Sequence, residues 1–471
     1  MSKVIKIKKG LDIPIRGVAQ EMTSDVRSIA EYAVKPTDFV GVNPKLLVAE
    51  GDTVKAGTPL FQDKNNGSAK FVSPVSGTVK AVVRGAKRAL LAVVVTSDGK
   101  NESVPMQKYG FSDKLNRDEV RRQMIETGLW TMIRRRPFGT VALEEDAPKA
   151  IFISCFDSAP LAADMDYVMQ GRGDDLRMGL RVLLAISEGD LYLGARQGQQ
   201  IEQVCSRLAA DAEMGQRLKV NLFNGPHPAG NVGTQIAAIS PINKGEVVWT
   251  VDIQDVASIG AAFRNGEYRP ERIMAFAGPC ASSPRYYKMI AGANIASLYK
   301  EQCSAYTDSD VRLISGNVLT GSQIATDGFA GCHDNVITAI PEGDYYDFMG
   351  WLMPGFKKFS FSRTFLSGFF ASCCCAKKCS DKSNYTIDTN LHGEWRPMVI
   401  TGSYERVFPF KIYPMQLIKA AIIGDIDLME NLGIYEVEPE DFALCEFIDT
   451  SKTEIQTIIR EALEKIRKEG M

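Results

Sequence analysis

Two similar strand–turn segments near the N-terminus constrain the fold more than any other feature of the sequence. Within residues 47–95, the stretches GDTVKAGTPLF and SPVSGTVKAVV flank the sequence DKNNG. Gly51, Gly57 and Gly77 favour tight turns because glycine adopts positive φ at little cost, and valines and leucines alternate or cluster between them. Asn66-Gly67 is a strong hairpin signal. The pattern predicts a small β domain made of short strands.

This pair of segments resembles the barrel-sandwich domain of lipoyl carriers. In such carriers a lysine on an exposed hairpin holds lipoate or biotin, and Lys64 in DKNNG is the matching candidate. We favour an ordinary hairpin lysine, because the stretch between Lys64 and SPVSG is longer than in carriers and no partner acyltransferase domain is recognisable.

Length and charge restrict the class of protein. A chain of 471 residues is too long for one core and implies several domains. The net charge of −2, without a basic stripe carrying aromatic residues, argues against a nucleic-acid binder. The basic start MSKVIKIKKG lacks the apolar stretch of a signal peptide, so we expect a cytoplasmic protein whose ten cysteines are reduced.

No segment has the ~20 apolar residues that a transmembrane helix needs, so none is predicted. The most apolar run is FLSGFFASCCCA at 365–376, bounded by Arg363, Lys377 and Lys378. Such a run suits a contact with a membrane or with another protein, or else a buried loop or short core helix. Both interpretations stay open.

An α/β pattern begins near residue 113. Asn116 is the predicted N-cap of a helix that buries Val120 and Met124. Apolar stretches that we read as strands follow at AIFIS (150–154), RVLLAIS (181–187) and LKVNLF (218–223), with helical segments among them, which predicts a parallel sheet. The loop GPHPAGNVG at 225–233 follows a strand end, where ligands of such sheets usually bind, but its glycines do not match the dinucleotide fingerprint.

The predicted fold is therefore an α+β multidomain protein. We expect a barrel-sandwich, lipoyl-like β domain at 1–112, a Rossmann-like α/β domain at 113–255, a β-grasp-like domain at 256–343 and a mostly helical C-terminal domain at 344–471. In the last of these, Ser451 and Glu454 predict a capping box for a final helix that ends at Gly470.

Nine collinear stretches resemble the A subunit of the sodium-translocating NADH:quinone reductases (the Nqr complexes). They are IKIKKGLDIPI, SPVSGTVKAVVRGAKRAL, GPHPAGNVGTQIAAISPI, RIMAFAGPCASSPR, ISGNVLTG, GWLMPG, GSYERVFPFKIYP, GDIDLMENLGIYEVEPEDFALCEF and EALEKIRKEG. The family is related to the electron-input subunits of the Rnf complex and of respiratory complex I, which bind FMN, NADH and an iron–sulfur cluster.

The resemblance implies a peripheral scaffold or docking subunit on the cytoplasmic side of the bacterial inner membrane. Its partners would be the other subunits of the Nqr complex, chiefly the integral-membrane B subunit. NADH, FAD, FMN, riboflavin and iron–sulfur centres are expected in the other subunits, and no cofactor is expected in this chain. It would not be catalytic alone, while a contribution to the quinone site is left open.

The residues at the expected cofactor positions support the prediction that this chain binds no cofactor. Flavin and phosphate need small residues that let backbone N–H groups approach, whereas the matching stretch TGLWTMIRRRP carries Leu129, Trp130 and Met132. In GRGDD at 171–175, Asp174 and Asp175 would repel a pyrophosphate, and we interpret the stretch as a surface turn. The arginine run at 134–136 suits lipid phosphates or an acidic face of a partner protein, although a solvated helix end is favoured.

The remaining candidate sites are weak. In CCCAKKCS, adjacent cysteine side chains diverge and CxxC spacing is missing, so free thiols are favoured over zinc or a cluster at Cys373, Cys374, Cys375 and Cys379. Cys445 is a single thiol where relatives need about four, which predicts no cluster there. His227 could donate to a quinone carbonyl, although a histidine that satisfies its own loop is favoured.

Two other functions remain as alternatives. One is a stand-alone NADH- or flavin-dependent oxidoreductase, which would bind its cofactor in isolation. The other is a lipoyl or biotinyl carrier that uses Lys64, which would add mass to the chain.

Overall fold

The structure is a computed structural model that describes residues 4–26, 29–211, 214–350, 352–356, 358–362, 365–367, 385–399 and 402–469. Its strands are β1 (Val4–Lys6), β2 (Gln20–Asp25), β3 (Glu31–Val34), β4 (Pro44–Leu46), β5 (Thr53–Val54), β6 (Pro59–Asp63), β7 (Lys70–Val72), β8 (Gly77–Arg84), β9 (Leu90–Ser97), β10 (Arg134–Arg136), β11 (Thr140–Val141), β12 (Ala150–Ser154), β13 (Asp190–Arg196), β14 (Leu218–Asn224), β15 (Val248–Thr250), β16 (Glu271–Ala277), β17 (Arg285–Ile290), β18 (Val311–Ser315), β19 (Ser322–Ile324) and β20 (Val336–Pro341).

The α-helices are α1 (Arg117–Glu126), α2 (Met165–Val168), α3 (Gly173–Ile186), α4 (Gln200–Ala209), α5 (Val232–Ile239), α6 (Ile253–Asn265), α7 (Ala296–Gln302), α8 (Tyr404–Val407), α9 (Pro414–Ile423), α10 (Ile426–Asn431), α11 (Ala443–Ile448) and α12 (Ile455–Glu469). Short 3₁₀ helices lie at Pro36–Asp38, Ala86–Arg88, Leu129–Met132, Ile434–Glu436 and Pro439–Phe442. Within the described ranges, no helix combines the length and the apolar composition that a membrane crossing requires.

Two small sheets form the N-terminal β domain. One has the strand order β3-β9-β8-β5 and the other β4-β6-β7. Gly51 and Gly57 have φ of 92° and 90°, as their turn role requires, and β6 and β7 form the hairpin that Asn66-Gly67 predicts. Phe61 and Phe71 stack with ring centroids 4.7 Å apart in the core between the sheets.

The second sheet system is parallel at its centre. Its order is β1-β14-β13-β12-β15-β10-β11, and β14, β13, β12 and β15 run parallel to one another. The N-terminal β1 joins one edge by pairing with β14. The predicted parallel α/β unit is confirmed, and the Asn116 side chain caps α1 by accepting the N–H groups of Asp118 and Glu119.

One predicted strand is wrong. RVLLAIS at 181–187 lies almost entirely in helix α3, which runs from Gly173 to Ile186. A short apolar run fits a buried helix as well as a strand, and here the helix starts well upstream of the run. Helix α3 packs along α6.

A third, mixed sheet has the order β19-β18-β20-β16-β17-β2, so a strand from the N-terminal region also joins it.

The C-terminal domain is helical from α8 to α12. Its last helix begins at Ile455, and the predicted capping box is wrong. Ser451 Oγ instead donates to the Pro397 carbonyl, and the Glu446 carboxylate accepts the N–H of Gln456 at 2.8 Å. The predicted end at Gly470 lies outside the described residues.

Candidate functional site

The parallel sheet changes winding direction between β12 and β15. From β12 the chain continues through β13 to β14 on one side, whereas β15 lies on the other side of β12. The loops that leave the carboxyl ends of β12 and β15 therefore diverge and leave a crevice. Open α/β sheets bind ligands at this kind of position.

A cavity of about 210 Å³ lies in this crevice. Its walls come from the carboxyl ends of β12 and β15, the starts of α5 and α6, the third sheet system and the C-terminal domain. The polar residues that line it include carboxylates, amides and imidazoles: Asp157, Asp252, Asp255, Glu440, Asn231, Asn317, Asn335, His227 and His333.

A buried polar network forms one wall of the cavity. Arg272 pairs with Asp255 and also contacts Asp252 at 3.2 Å. His333 Nδ1 lies 2.9 Å from the second carboxylate oxygen of Asp255, and Asn335 donates to Asp252 at 2.9 Å. Burial disfavours the Asp255 anion, but Arg272 and then His333 outweigh it and lower the pKa of Asp255 to about 2. The network joins the start of α6 rigidly to the third sheet.

The cavity is unsuited to a phosphate-bearing cofactor. Burial, followed by the charges of Asp252 and Glu440, raises the pKa of Asp157, so a further negative charge beside this carboxyl would be unfavourable. The start of α5, where a phosphate would bind to backbone N–H groups, is covered: a Cβ on Gly233 would overlap the side chains of Asp441 and Arg136. A carboxylate therefore takes the position that an anionic ligand would need.

Arg136 holds this cover in place. Its side chain is 3% exposed and pairs with Glu440, with Asp441 at 3.3 Å and with Glu438 at 3.5 Å. Burial raises the pKa of Asp441 to about 7, although Arg136 opposes the shift. The interpretation of the arginine run as a solvated helix end is wrong, because residues 134–136 form β10 and the third arginine pairs with an acidic loop some 300 residues away.

The stretch that matches a flavin cradle is filled with side chains. Leu129–Met132 is a buried 3₁₀ helix in which the Trp130 indole N–H donates to the Ala142 carbonyl at 2.8 Å. The ring also packs edge-on against Trp249, with centroids 5.5 Å apart. The interpretation of GRGDD as a surface turn is wrong in part, because α3 begins at Gly173 and Arg264 pairs with Asp174 and Asp175.

Comparisons with known proteins assign the family. Family models match residues 5–98 ("NqrA N-terminal barrel-sandwich hybrid domain"), 115–268 ("NqrA second alpha/beta domain") and 273–326 ("NQRA C-terminal domain"). Curated proteins named as the A subunit of Na(+)-translocating NADH-quinone reductase match over 470 residues. The one from Pasteurella multocida is 37% identical and the one from Histophilus somni 38%, each match covering 99% of this chain and 100% of the relative.

The chain belongs to the NqrA family, the A subunits of the Na⁺-translocating NADH-quinone reductases. The resemblance seen in the sequence is thus confirmed, together with the barrel-sandwich N-terminal domain and the α/β second domain. Among solved structures, an NAD⁺-reducing [NiFe]-hydrogenase aligns over 68% of this chain and 55% of its own with 11% identity, but a TM-score of 0.31 is too low to establish a common fold.

His227 in this member of the NqrA family is buried in the loop between β14 and α5. Its Nδ1 lies 3.0 Å from Ser158 Oγ, which also accepts the N–H of Gly230 at 2.8 Å. When the Ser158 hydroxyl donates to Nδ1, the neutral ring carries its hydrogen on Nε2, and the residue lines the cavity. Burial lowers the pKa of His227 to about 4, so the ring is neutral at pH 7. The role of a quinone-carbonyl donor stays a prediction.

The buried His227 makes stability depend on pH. In the unfolded chain a histidine takes up a proton below pH ~6.5, whereas in the fold His227 does so only near 4. The folded state therefore loses on the order of 3 kcal/mol from this group as the pH falls from 6.5 to 4. Urea unfolding at several pH values should show a shallower pH dependence for His227→Asn than for the wild type. His392→Asn, at a half-exposed site, should change that dependence less; an unchanged dependence in His227→Asn would contradict the burial of His227.

The other predicted site residues do not come together. Lys64 is exposed, but its turn is held against the second domain, since the side chains of Asn66 and Ser68 bond to Ala142 and Glu144. Cys445 is buried in α11, and Cys373, Cys374, Cys375 and Cys379 lie outside the described residues. Within the part of the chain that is described, no group of three or more His, Cys, Asp or Glu residues is arranged to hold a metal ion.

The two charged networks of this NqrA-family chain are not predicted by its sequence. The signal for one of them was present, because the run RRR at 134–136 is complementary to EPED at 438–441. Their pairing could not be read from one sequence, since the two runs lie in different domains. The network of Arg272, Asp255 and His333 is assembled from three separate segments and left no local pattern.

Proposed function

We propose that this protein is a peripheral scaffold and docking component of a sodium-pumping NADH:quinone oxidoreductase. It binds chiefly to the integral-membrane B subunit on the cytoplasmic side of the bacterial inner membrane. The complex oxidises NADH, passes electrons through FAD, FMN, riboflavin and an iron–sulfur centre in its other subunits, and reduces quinone while exporting Na⁺. The observation that carries the proposal is the 36–38% identity to NqrA proteins along 99% of the chain.

The geometry of the crevice between β12 and β15 supports a role without a nucleotide cofactor. The start of α5 is covered by Asp441 and Arg136, and the stretch around Trp130 is packed. Both places where a bound flavin or nucleotide would need open backbone are therefore occupied by this chain's own side chains. The second unit in this proposal is a Rossmann-like domain at 113–255 and the third a β-grasp-like domain at 256–343, because a mostly parallel sheet is followed by a mixed one.

A contribution to quinone binding is the second candidate function. The cavity contains neutral hydrogen-bond donors, among them Asn231, Asn317 and the His227 ring. A quinone is uncharged, so the carboxylates that exclude phosphates do not exclude it. His227 Nε2–H would donate to one carbonyl oxygen of the quinone.

Affinity purification tests the proposal. With a tag on this chain and gentle detergent solubilisation of membranes, we expect integral-membrane subunits to co-purify in fixed ratio, and flavin and iron to be found with those other subunits. The matched control is the same tagged chain expressed in a strain that lacks the membrane subunits. Recovery of a soluble, yellow chain that NADH protects from thermal unfolding would favour the stand-alone oxidoreductase instead, and added mass on Lys64 would favour the carrier.

A further inference from the structure

The segment between the third sheet and helix α8 exposes large aromatic side chains. Tyr346 is 88% exposed, Phe348 75% and Trp395 71%. Leu352, Phe356 and Leu391 are exposed beside them in the sequence. We call these six residues the aromatic patch. A single exposed apolar side chain is ordinary, whereas a concentration of this kind marks an interaction site.

The backbone that carries the patch is held in place by the rest of the protein. Asn390 donates to the carbonyls of Gly343 and Tyr345, and Thr389 Oγ1 accepts the N–H of Gly343 at 2.7 Å. These bonds bring the stretch that precedes Trp395 against the one that carries Tyr346. Leu391 and Tyr346, which follow these bonded residues, thus lie on neighbouring stretches of irregular chain.

Further contacts fix the same segment to the C-terminal domain. The N–H of Arg396 donates to the Ser451 carbonyl at 3.1 Å, and Ser451 Oγ donates to the Pro397 carbonyl at 3.1 Å. Phe359 packs against Phe447 of α11. The aromatic side chains of the patch point outward although their backbone is anchored, so the exposure is not that of a loose end.

The charges beside the patch favour a protein partner over lipid. Segments that bind anionic lipid surfaces are rich in Lys and Arg around their apolar residues. Here the exposed acidic residues Asp344 and Glu394 lie next to Tyr346 and Trp395. Tyr, Trp, Phe and Met with Arg are also the residues enriched in the cores of protein interfaces, and Arg396 follows Trp395 directly.

We propose that the aromatic patch is the surface through which this chain docks onto the membrane-embedded protein of its complex. This inference rests on the proposed function. The partner presents an apolar surface flanked by basic side chains, which suits the cytoplasmic loops of membrane proteins because these are rich in Lys and Arg. The acidic residues Asp344 and Glu394 face those basic side chains, and Trp395 and Phe348 supply the buried anchors of the interface.

Photo-crosslinking in the intact complex tests the surface. A photoreactive phenylalanine analogue replaces Tyr346, Phe348 or Trp395, and Ile423 serves as the matched control because it is also 71% exposed but lies on α9. We expect crosslinks from the three patch positions to a membrane-embedded protein of the complex, and none from position 423. Crosslinks from the patch positions to phospholipid or to a second copy of this chain would overturn the assignment. Crosslinks to the membrane-embedded protein from position 423 only would also overturn it, as would the absence of any crosslink from the patch positions.

Charge substitutions provide a second readout. Phe348→Glu and Trp395→Glu should lower the amount of chain retained in the purified complex on the order of tenfold or more, while Ile423→Glu should not. All three isolated chains should unfold at the wild-type temperature, because the substituted side chains are exposed. If the complex holds the wild-type chain and retains both patch variants fully, the aromatic patch is not the docking surface, but the proposed function is unaffected. Failure of the wild-type chain to co-purify would reject the proposed function itself.

Discussion

Arg136→Ala is expected to destabilise the protein by about 3–5 kcal/mol, the usual cost of removing one partner of a buried ion pair. The guanidinium is buried among Glu438, Glu440 and Asp441, so its loss leaves carboxylates packed against the start of α5 without the cation that pairs with them. Urea unfolding of the isolated chain measures the loss. The pKa of Asp441, already raised to about 7 by burial, would rise further in the variant. Because a raised carboxyl pKa makes the folded state less stable as the pH rises, the deficit should be larger at pH ~8 than at pH ~5.

The matched control is Arg117→Ala. Arg117 pairs with Glu188 at 2.6 Å, but this pair is exposed, and its loss should cost less than about 1 kcal/mol. The double variant Arg136→Ala, Asp441→Asn should recover part of the stability that Arg136→Ala loses, since it removes one unpaired buried charge. If Arg136→Ala and Arg117→Ala had the same small effect, the acidic loop would not be buried against α5 in solution.

Trp130→Ala is expected to cost about 3–5 kcal/mol, as large-to-small replacements of buried aromatic residues do. The indole is fully buried, bonds to the Ala142 carbonyl and packs on Trp249, so its removal creates a cavity between α1 and the parallel sheet and takes one hydrogen bond from that carbonyl, which keeps the one from Asn66. Denaturant unfolding measures the loss.

Trp395 provides a control of the same residue type. It is exposed in the aromatic patch, so Trp395→Ala should change the stability of the isolated chain by no more than about 0.5 kcal/mol. The two tryptophans should thus separate the two properties: Trp130→Ala lowers stability, whereas Trp395→Ala lowers retention in the complex. Equal stability losses in the two variants would contradict the burial of Trp130 or the exposure of Trp395.

Local chemistry allowed much of the fold to be predicted. The cap at Asn116 and the Asn66-Gly67 hairpin depend on neighbours a few residues away, and both are confirmed. RVLLAIS was misread because a short apolar run suits either a strand or a buried helix. Ser451 was misread because its hydroxyl bonds to Pro397, more than fifty residues earlier in the chain.

The sequence predicts where the candidate site lies in the fold, but not which groups line it. The loop that carries His227 follows the end of β14, and this placed it at the carboxyl edge of the sheet. The groups that decide the chemistry of the crevice come from remote segments: Asp441 from the C-terminal domain and His333 from the third sheet system. Arg136 illustrates the limit, since its environment is set by a loop some 300 residues away in the sequence.

Native mass spectrometry of the complex, isolated through a tag on this chain, tests most directly that the chain is a docking component without a prosthetic group of its own. Gentle activation should release the chain at the mass of its unmodified tagged sequence, while flavins and iron stay with the other subunits of the complex. A released chain that carries flavin, iron or an attached acyl group, or a tagged chain that is recovered without any membrane-embedded partner, would contradict that role.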